Sequence, residues 1–126
     1  MVNGVHHVCI KCAGRAVWEA DIAFYRDVLG FPVKRIWTGE EKCGAMLDAG
    51  NCLLEIMSNG DGSALGVTRH VAFACDDIPG VLDRVREAGQ PVTKEAQDIR
   101  LGDGLPARIG FCTGPAGEEI EFFQEL

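Results

Sequence analysis

The second half of this chain repeats the first, and no other feature limits its possible folds as strongly. His6-His7-Val8-Cys9-Ile10 lies over Arg69-His70-Val71-Ala72-Phe73 at an offset of 63 residues. Gly30-Phe31-Pro32-Val33 lies over Gly89-Gln90-Pro91-Val92 at 59, and Leu54-Glu55-Ile56 over Ile120-Glu121-Phe122 at 66. A drifting offset requires only loops of different length, and 63 is half of the 126 residues. A chain of this size reads as one domain, residues 1–126, built from module one at 1–62 and module two at 63–126. That organisation leaves no room for separate cofactor and substrate domains.

Each half carries the same order of elements. Val5–Cys12 alternates like a strand, and Trp18, Ile22, Tyr25 and Leu29 recur at steps of four, three and four, a helix stripe that Gly30 closes. Three short apolar segments follow, Phe31–Trp37, Ala45–Asp48 and Asn51–Met57, the last two joined by a turn at Ala49-Gly50-Asn51. After the polar loop Ser58–Ser63, Val67–Ala74 begins the pattern again. Asp76-Asp77-Ile78-Pro79 starts a second helix with an Asp cap and an early proline, and Ile78, Val81, Leu82 and Val85 form its stripe up to Gly89. Val92–Ala96, Ala107–Cys112 and Glu119–Phe123 supply three more strands, with Gly114-Pro115-Ala116-Gly117 as the last turn. The expected class is therefore α+β, two tandem βαβββ modules.

Composition excludes several functions. The formal charge of −7 repels phosphate backbones and anionic lipid, which argues against a nucleic-acid partner and against a membrane surface. No basic segment leads into an apolar core at the amino end, and no run of eighteen apolar residues exists, so the expectation is a cytoplasmic protein. Six cysteines do not read as a disulfide framework, because Cys9, Cys52, Cys75 and Cys112 sit in apolar strand-like runs where cysteine serves as a small hydrophobe. Cys9-Ile-Lys-Cys12 matches C-x-x-C, yet on a strand the two thiols face opposite ways.

The repeat also pairs residues that carry chemistry. His7 and His70 fall at equivalent places in the first strand of each module, and Glu55 and Glu121 at equivalent places in the last. A carboxylate inside a run such as Cys-Leu-Leu-Glu-Ile-Met has to be on an open face, paired, or bound to a metal. Two imidazoles and two carboxylates suit a divalent first-row ion and leave room for a chelating substrate. His6 faces away from His7 by strand parity and is not a candidate.

The chain resembles the vicinal oxygen chelate superfamily and, within it, bacterial glyoxalase I. The resemblance runs through His7-Val8, Phe24-Tyr25-Arg26-Asp27-Val28-Leu29-Gly30-Phe31, Leu54-Glu55, Arg69-His70-Val71-Ala72, Val92-Thr93-Lys94-Glu95-Ala96 and Gly114-Pro115-Ala116-Gly117 with Ile120-Glu121. It implies the glyoxalase/bleomycin-resistance/dihydroxybiphenyl-dioxygenase fold, in which two modules form a cleft around one metal, often in a homodimer with shared active sites. A complete His7, Glu55, His70, Glu121 set is most similar to the nickel- or cobalt-preferring forms of glyoxalase I, with zinc less favoured. Epimerases of the superfamily carry glutamine where Glu55 stands, and its dioxygenases and thiol transferases use two His and one Glu. These activities, and non-catalytic small-molecule binding, stay as alternatives. Two departures from the glyoxalase I pattern are a longer loop at Cys12–Val17 and Gly114-Pro115 in place of Asp-Pro in the last turn.

The resemblance implies a lactoylglutathione lyase, isomerising the hemithioacetal of methylglyoxal and glutathione through an enediolate to a lactoyl thioester. The metal then acts as a Lewis acid, and Glu121 is the base that moves the proton. Lys11 and Asn59 are the expected contacts for the far end of the thiol. By parity Lys11 shares a face with His7 and Asn59 with Glu55, each about 13 Å along its strand at roughly 3.3 Å per residue. Lys11 stands where arginine is usual, keeping the charge without the bidentate fork. Arg100 and Arg108 are open candidates for a second substrate carboxylate.

Overall fold

A computed structural model describes residues 5–63, 66, 68–100 and 104–126. The chain divides into two compact units, Met1–Ser63 and Ala64–Leu126. Each is a four-stranded mixed sheet with one helical connection, so the class is α+β.

Unit one runs β1 (His7–Lys11), α1 (Arg15–Ala23), a π-helical segment (Phe24–Val28), β2 (Val33–Thr38), β3 (Cys43–Asp48) and β4 (Leu53–Met57). The sheet order is β1-β4-β3-β2. β1 and β4 are parallel because α1 and two further strands lie between them, whereas β2, β3 and β4 join as antiparallel neighbours. Leu54, Ile56, Ala45 and Leu47 are buried, and α1 is pinned to this layer by the buried indole of Trp18, whose Nε1 donates to the Ile56 carbonyl at 2.9 Å.

The helix departs from the expected regular stripe. The Leu29 amide bonds back to the Phe24 carbonyl, five residues earlier, which inserts one extra residue into the turn. Phe24 and Tyr25 are consequently both buried while Leu29 is only half-buried. Gly30 at φ 81 then ends the helix, and the Phe31 amide reaches the Tyr25 carbonyl at 2.9 Å.

Unit two runs β5 (His70–Ala74), α2 (Ile78–Glu87), β6 (Val92–Arg100), β7 (Pro106–Thr113) and β8 (Glu119–Glu125), in sheet order β5-β8-β7-β6. The Asp77 side chain caps α2 by accepting from the Gly80 amide at 3.1 Å. Ile78, Leu82 and Val85 are buried. Gly110 on β7 lies directly beneath them, where a Cβ would stand 2.9 Å from both Ile78 Cγ2 and Leu82 Cδ1. The expected strand start at Val67 lies outside the described residues. β6 continues four residues beyond the expected Ala96. Its polar residues do not end it because an edge strand is open on one side, and Asp98 pairs across to Arg108.

None of the six cysteines, all among the described residues, is in a disulfide. Cys12, Cys43 and Cys112 are buried, Cys52 and Cys75 half-buried and Cys9 exposed. Cys9 and Cys12 thus point opposite ways, but Cys9 is not the core hydrophobe that its apolar run suggested. Among the described residues no helix is long and apolar enough to cross a membrane.

Candidate metal centre

In unit one, β1 presents His7, Cys9 and Lys11 on its exposed face. The register sets Cys9 opposite Glu55 and His7 opposite Leu53, so His7 and Glu55 are diagonal neighbours on adjacent parallel strands. Their Nε2 and Oε1 atoms are 3.9 Å apart. Unit two repeats this arrangement, with His70 opposite Glu119 and Ala72 opposite Glu121. There His70 Nε2 is 2.9 Å from Glu121 Oε2. Both glutamates are sheltered, with side chains 19% and 12% exposed, while both imidazoles are more open at 38% and 35%. A carboxylate so placed has lost part of its hydration and needs a partner.

The His70–Glu121 pair fits two neighbouring corners of one coordination sphere, whereas His7 and Glu55, at 3.9 Å, stand wider apart than such corners. Donors at about 2.1 Å from an ion and at right angles to each other lie about 3 Å apart, close to the 2.9 Å of the second pair. The donor types, imidazole nitrogen and carboxylate oxygen, match a divalent first-row ion. Among the described residues no group of three or more His, Cys, Asp or Glu side chains is gathered for a metal. The four expected ligands come as two pairs, one in each unit.

The surroundings of the two pairs differ. Cys9 bonds to Glu55, and burial, that hydrogen bond and the Glu55 charge push its thiol up to about 11. Ala72 takes the equivalent place in unit two. His6 reaches His7 after all, Nδ1 to Nδ1 at 2.9 Å, because it precedes β1 and is not bound by strand parity.

The register also aligns a cation with each glutamate, which sequence reasoning missed. One row across the first sheet reads Arg35, Met46, Glu55, Cys9. The corresponding row across the second reads Lys94, Phe111, Glu121, Ala72. Lys94 Nζ lies 5.3 Å from the centre of the Phe111 ring, and His70 meets the same ring edge-on at 5.6 Å. The signal was present in the repeat, since Arg35 and Lys94 are 59 residues apart, the same offset as Gly30 and Gly89.

Of the expected substrate contacts, Lys11 lies on the His7 face of β1, opposite Met57. Asn59 lies beyond the end of β4, bridged to Ala13. β4 ends at Met57, and the hydroxyl of Ser58, buried on the same side as Leu54 and Ile56, accepts from the Cys43 amide at 2.7 Å. Arg108 is held by Asp98 in a two-pronged pair at 2.6 and 3.1 Å, and Arg100 donates to the Gly104 carbonyl.

Comparison with known proteins decides the family. Residues 15–122 match the family model of the glyoxalase/bleomycin resistance protein/dioxygenase superfamily. The chain belongs to this superfamily. Within the superfamily it is 30% identical over 118 residues to a lactoylglutathione lyase of Haemophilus influenzae, covering 84% of this chain and 83% of that protein. A glyoxalase family protein of Enterococcus faecalis is 25% identical, with a TM-score of 0.74 over 95% of this chain and 96% of that one. An antibiotic-binding protein from Streptomyces shares the fold at a TM-score of 0.76 and 18% identity, covering 99% and 98%. The superfamily fold therefore serves binding proteins as well as enzymes, and the site has to carry the functional argument.

Proposed function

We propose that the protein is a metal-dependent lyase of glyoxalase I type, acting on the hemithioacetal of methylglyoxal and glutathione in the cytoplasm. The observation that carries this reading is the recurrence of one His–Glu pair, in one register, on the parallel strands of both units. Relatives named lactoylglutathione lyase support the same choice.

In this reading His7, Glu55, His70 and Glu121 together hold one divalent ion, nickel or cobalt in preference to zinc. When bound, the ion supplies Lewis-acid stabilisation of charge developing on the substrate oxygens. Glu121 takes the proton from the substrate carbon that bears sulfur and returns it to the neighbouring carbon. It suits that role because it is sheltered and stands 2.9 Å from His70. Lys11 attracts the carboxylate end of the thiol, and Asn59 hydrogen-bonds it. The active protein is a homodimer.

The test is to strip the protein of metal, restore nickel, cobalt or zinc singly, and follow thioester formation from methylglyoxal and glutathione. Thioester with nickel or cobalt supports the proposal, and none with any ion rejects it. Glu121→Gln should lower kcat by about 10²- to 10⁴-fold, and retained turnover rejects the base assignment. A monomer at micromolar concentration by sedimentation rejects the dimer.

A further inference from the structure

The two halves of the candidate site are not equally prepared. His70 is held on three sides. Its Nε2 is 2.9 Å from Glu121, its Nδ1 is 3.5 Å from Glu119 Oε2, and Phe111 packs perpendicular to its ring at 89°. Glu119 owes its place to the register, which sets it directly across from His70 on the parallel neighbour. The position across from His7 is Leu53, which offers no acceptor. The Nδ1 of His7 instead meets the exposed ring of His6, and Nε2 stands 3.9 Å from Glu55.

A histidine that ligates through one nitrogen is oriented by what its other nitrogen donates to. A carboxylate in that place fixes both the tautomer and the ring plane. From this geometry we infer that Glu119 is the positioning residue for His70, so that the His70–Glu121 pair is prepared for a metal and the His7–Glu55 pair is not. This rests on the metal-binding reading above. Glu119 contributes little to stability, since the pair is about one third exposed on both sides and such pairs are weak in water. Its effect falls on metal affinity.

The experiment is a calorimetric titration of the metal-free full-length chain with nickel, and separately with zinc. It compares the wild type with Glu119→Ala and Glu119→Gln, and urea unfolding is measured alongside. Glu119→Ala should bind about 10- to 100-fold more weakly with an unchanged urea midpoint. Glu119→Gln, whose amide oxygen can accept from Nδ1 in the place of the carboxylate, should recover most of the loss. Wild-type protein that binds metal while Glu119→Ala binds within twofold of it overturns the positioning role alone. So does a loss of affinity in Glu119→Ala that comes with an equal loss of folded protein. Wild-type protein that binds neither ion overturns the metal centre, and this inference with it.

Discussion

Replacing Gly44 with alanine tests how the face that carries Glu55 is built. Gly44 lies between Trp37 and Met57 in the register of the first sheet, and the indole of Trp37 folds across it. A Cβ at Gly44 overlaps Cζ2 and Cε2 of Trp37 and stands 2.8 Å from Met57 Sδ, so the ring has to move. Trp37 is 39% exposed. Taking 200–250 Å² for the side chain, roughly 120–150 Å² is covered, worth about 3–4 kcal/mol if all of it were lost. A ring that slides keeps part of that contact, and alanine gains roughly 0.5–1 kcal/mol over glycine inside a strand. The net cost is about 1–3 kcal/mol, or a fall of roughly 0.5–1.5 M in the urea midpoint. The chain has two tryptophans, and Trp18 is 2% exposed. A red shift in native emission therefore reports Trp37. The decisive control is a double-mutant cycle with Trp37→Ala. In that background Gly44→Ala should be neutral or slightly stabilising, and a cost as large as in the wild type refutes the overlap as the cause.

Trp18→Phe removes the indole donor to the Ile56 carbonyl and shrinks a buried side chain, so unit one should lose about 1–3 kcal/mol by urea unfolding; an unchanged midpoint contradicts the pin between α1 and β4. Asp77→Ala uncaps α2 and should cost about 1 kcal/mol, while Asp77→Ser or Asp77→Asn should restore most of it. Hydrogen bonds from Arg108 hold the Asp98 carboxyl below the usual carboxylate range. Arg108→Met should return the Asp98 titration, followed by NMR, to that range. Because the folded-state pKa is the lowered one, any advantage of wild type over this variant exists at neutral pH and disappears as pH falls through the Asp98 titration. A difference that grows on acidification contradicts the pairing.

The order of elements was legible because it rests on periodicity and punctuation, both local. Gly30 and Gly89 stop the helices where the sequence says, and the paired offsets made each half a check on the other. What escaped were matters of register and of edges. The π-helical turn at Phe24 goes with burying two adjacent aromatics, Phe24 and Tyr25, at once, which a stripe of apolar residues does not encode. β6 outran its apolar run because polar residues suit an exposed edge. Asn59 was counted along a strand that ends two residues earlier, at Met57. For the candidate ligands, the repeat named four residues by equivalence, and the register gives each His its Glu as a diagonal neighbour. Glu119 and Phe111 were beyond reach in a linear reading because their relevance lies in which strand stands across from them, whereas Lys94 could have been found from its repeat partner Arg35.

β1 and β5 are each the outermost strand of their sheet, held by one parallel neighbour that arrives roughly fifty residues further along the chain. Such ladders close late, since the intervening chain has to be ordered before they can form, and a strand with one neighbour opens more readily than a strand with two. His7 and His70 ride on these outer strands, whereas Glu55 and Glu121 ride on strands flanked on both sides. Anything that grips a histidine and its glutamate together ties an outer strand to the interior of its sheet. Amide exchange along β1 and β5 is then a gauge of occupancy, fast in the empty protein and slowed in the loaded one, that can be read without any turnover.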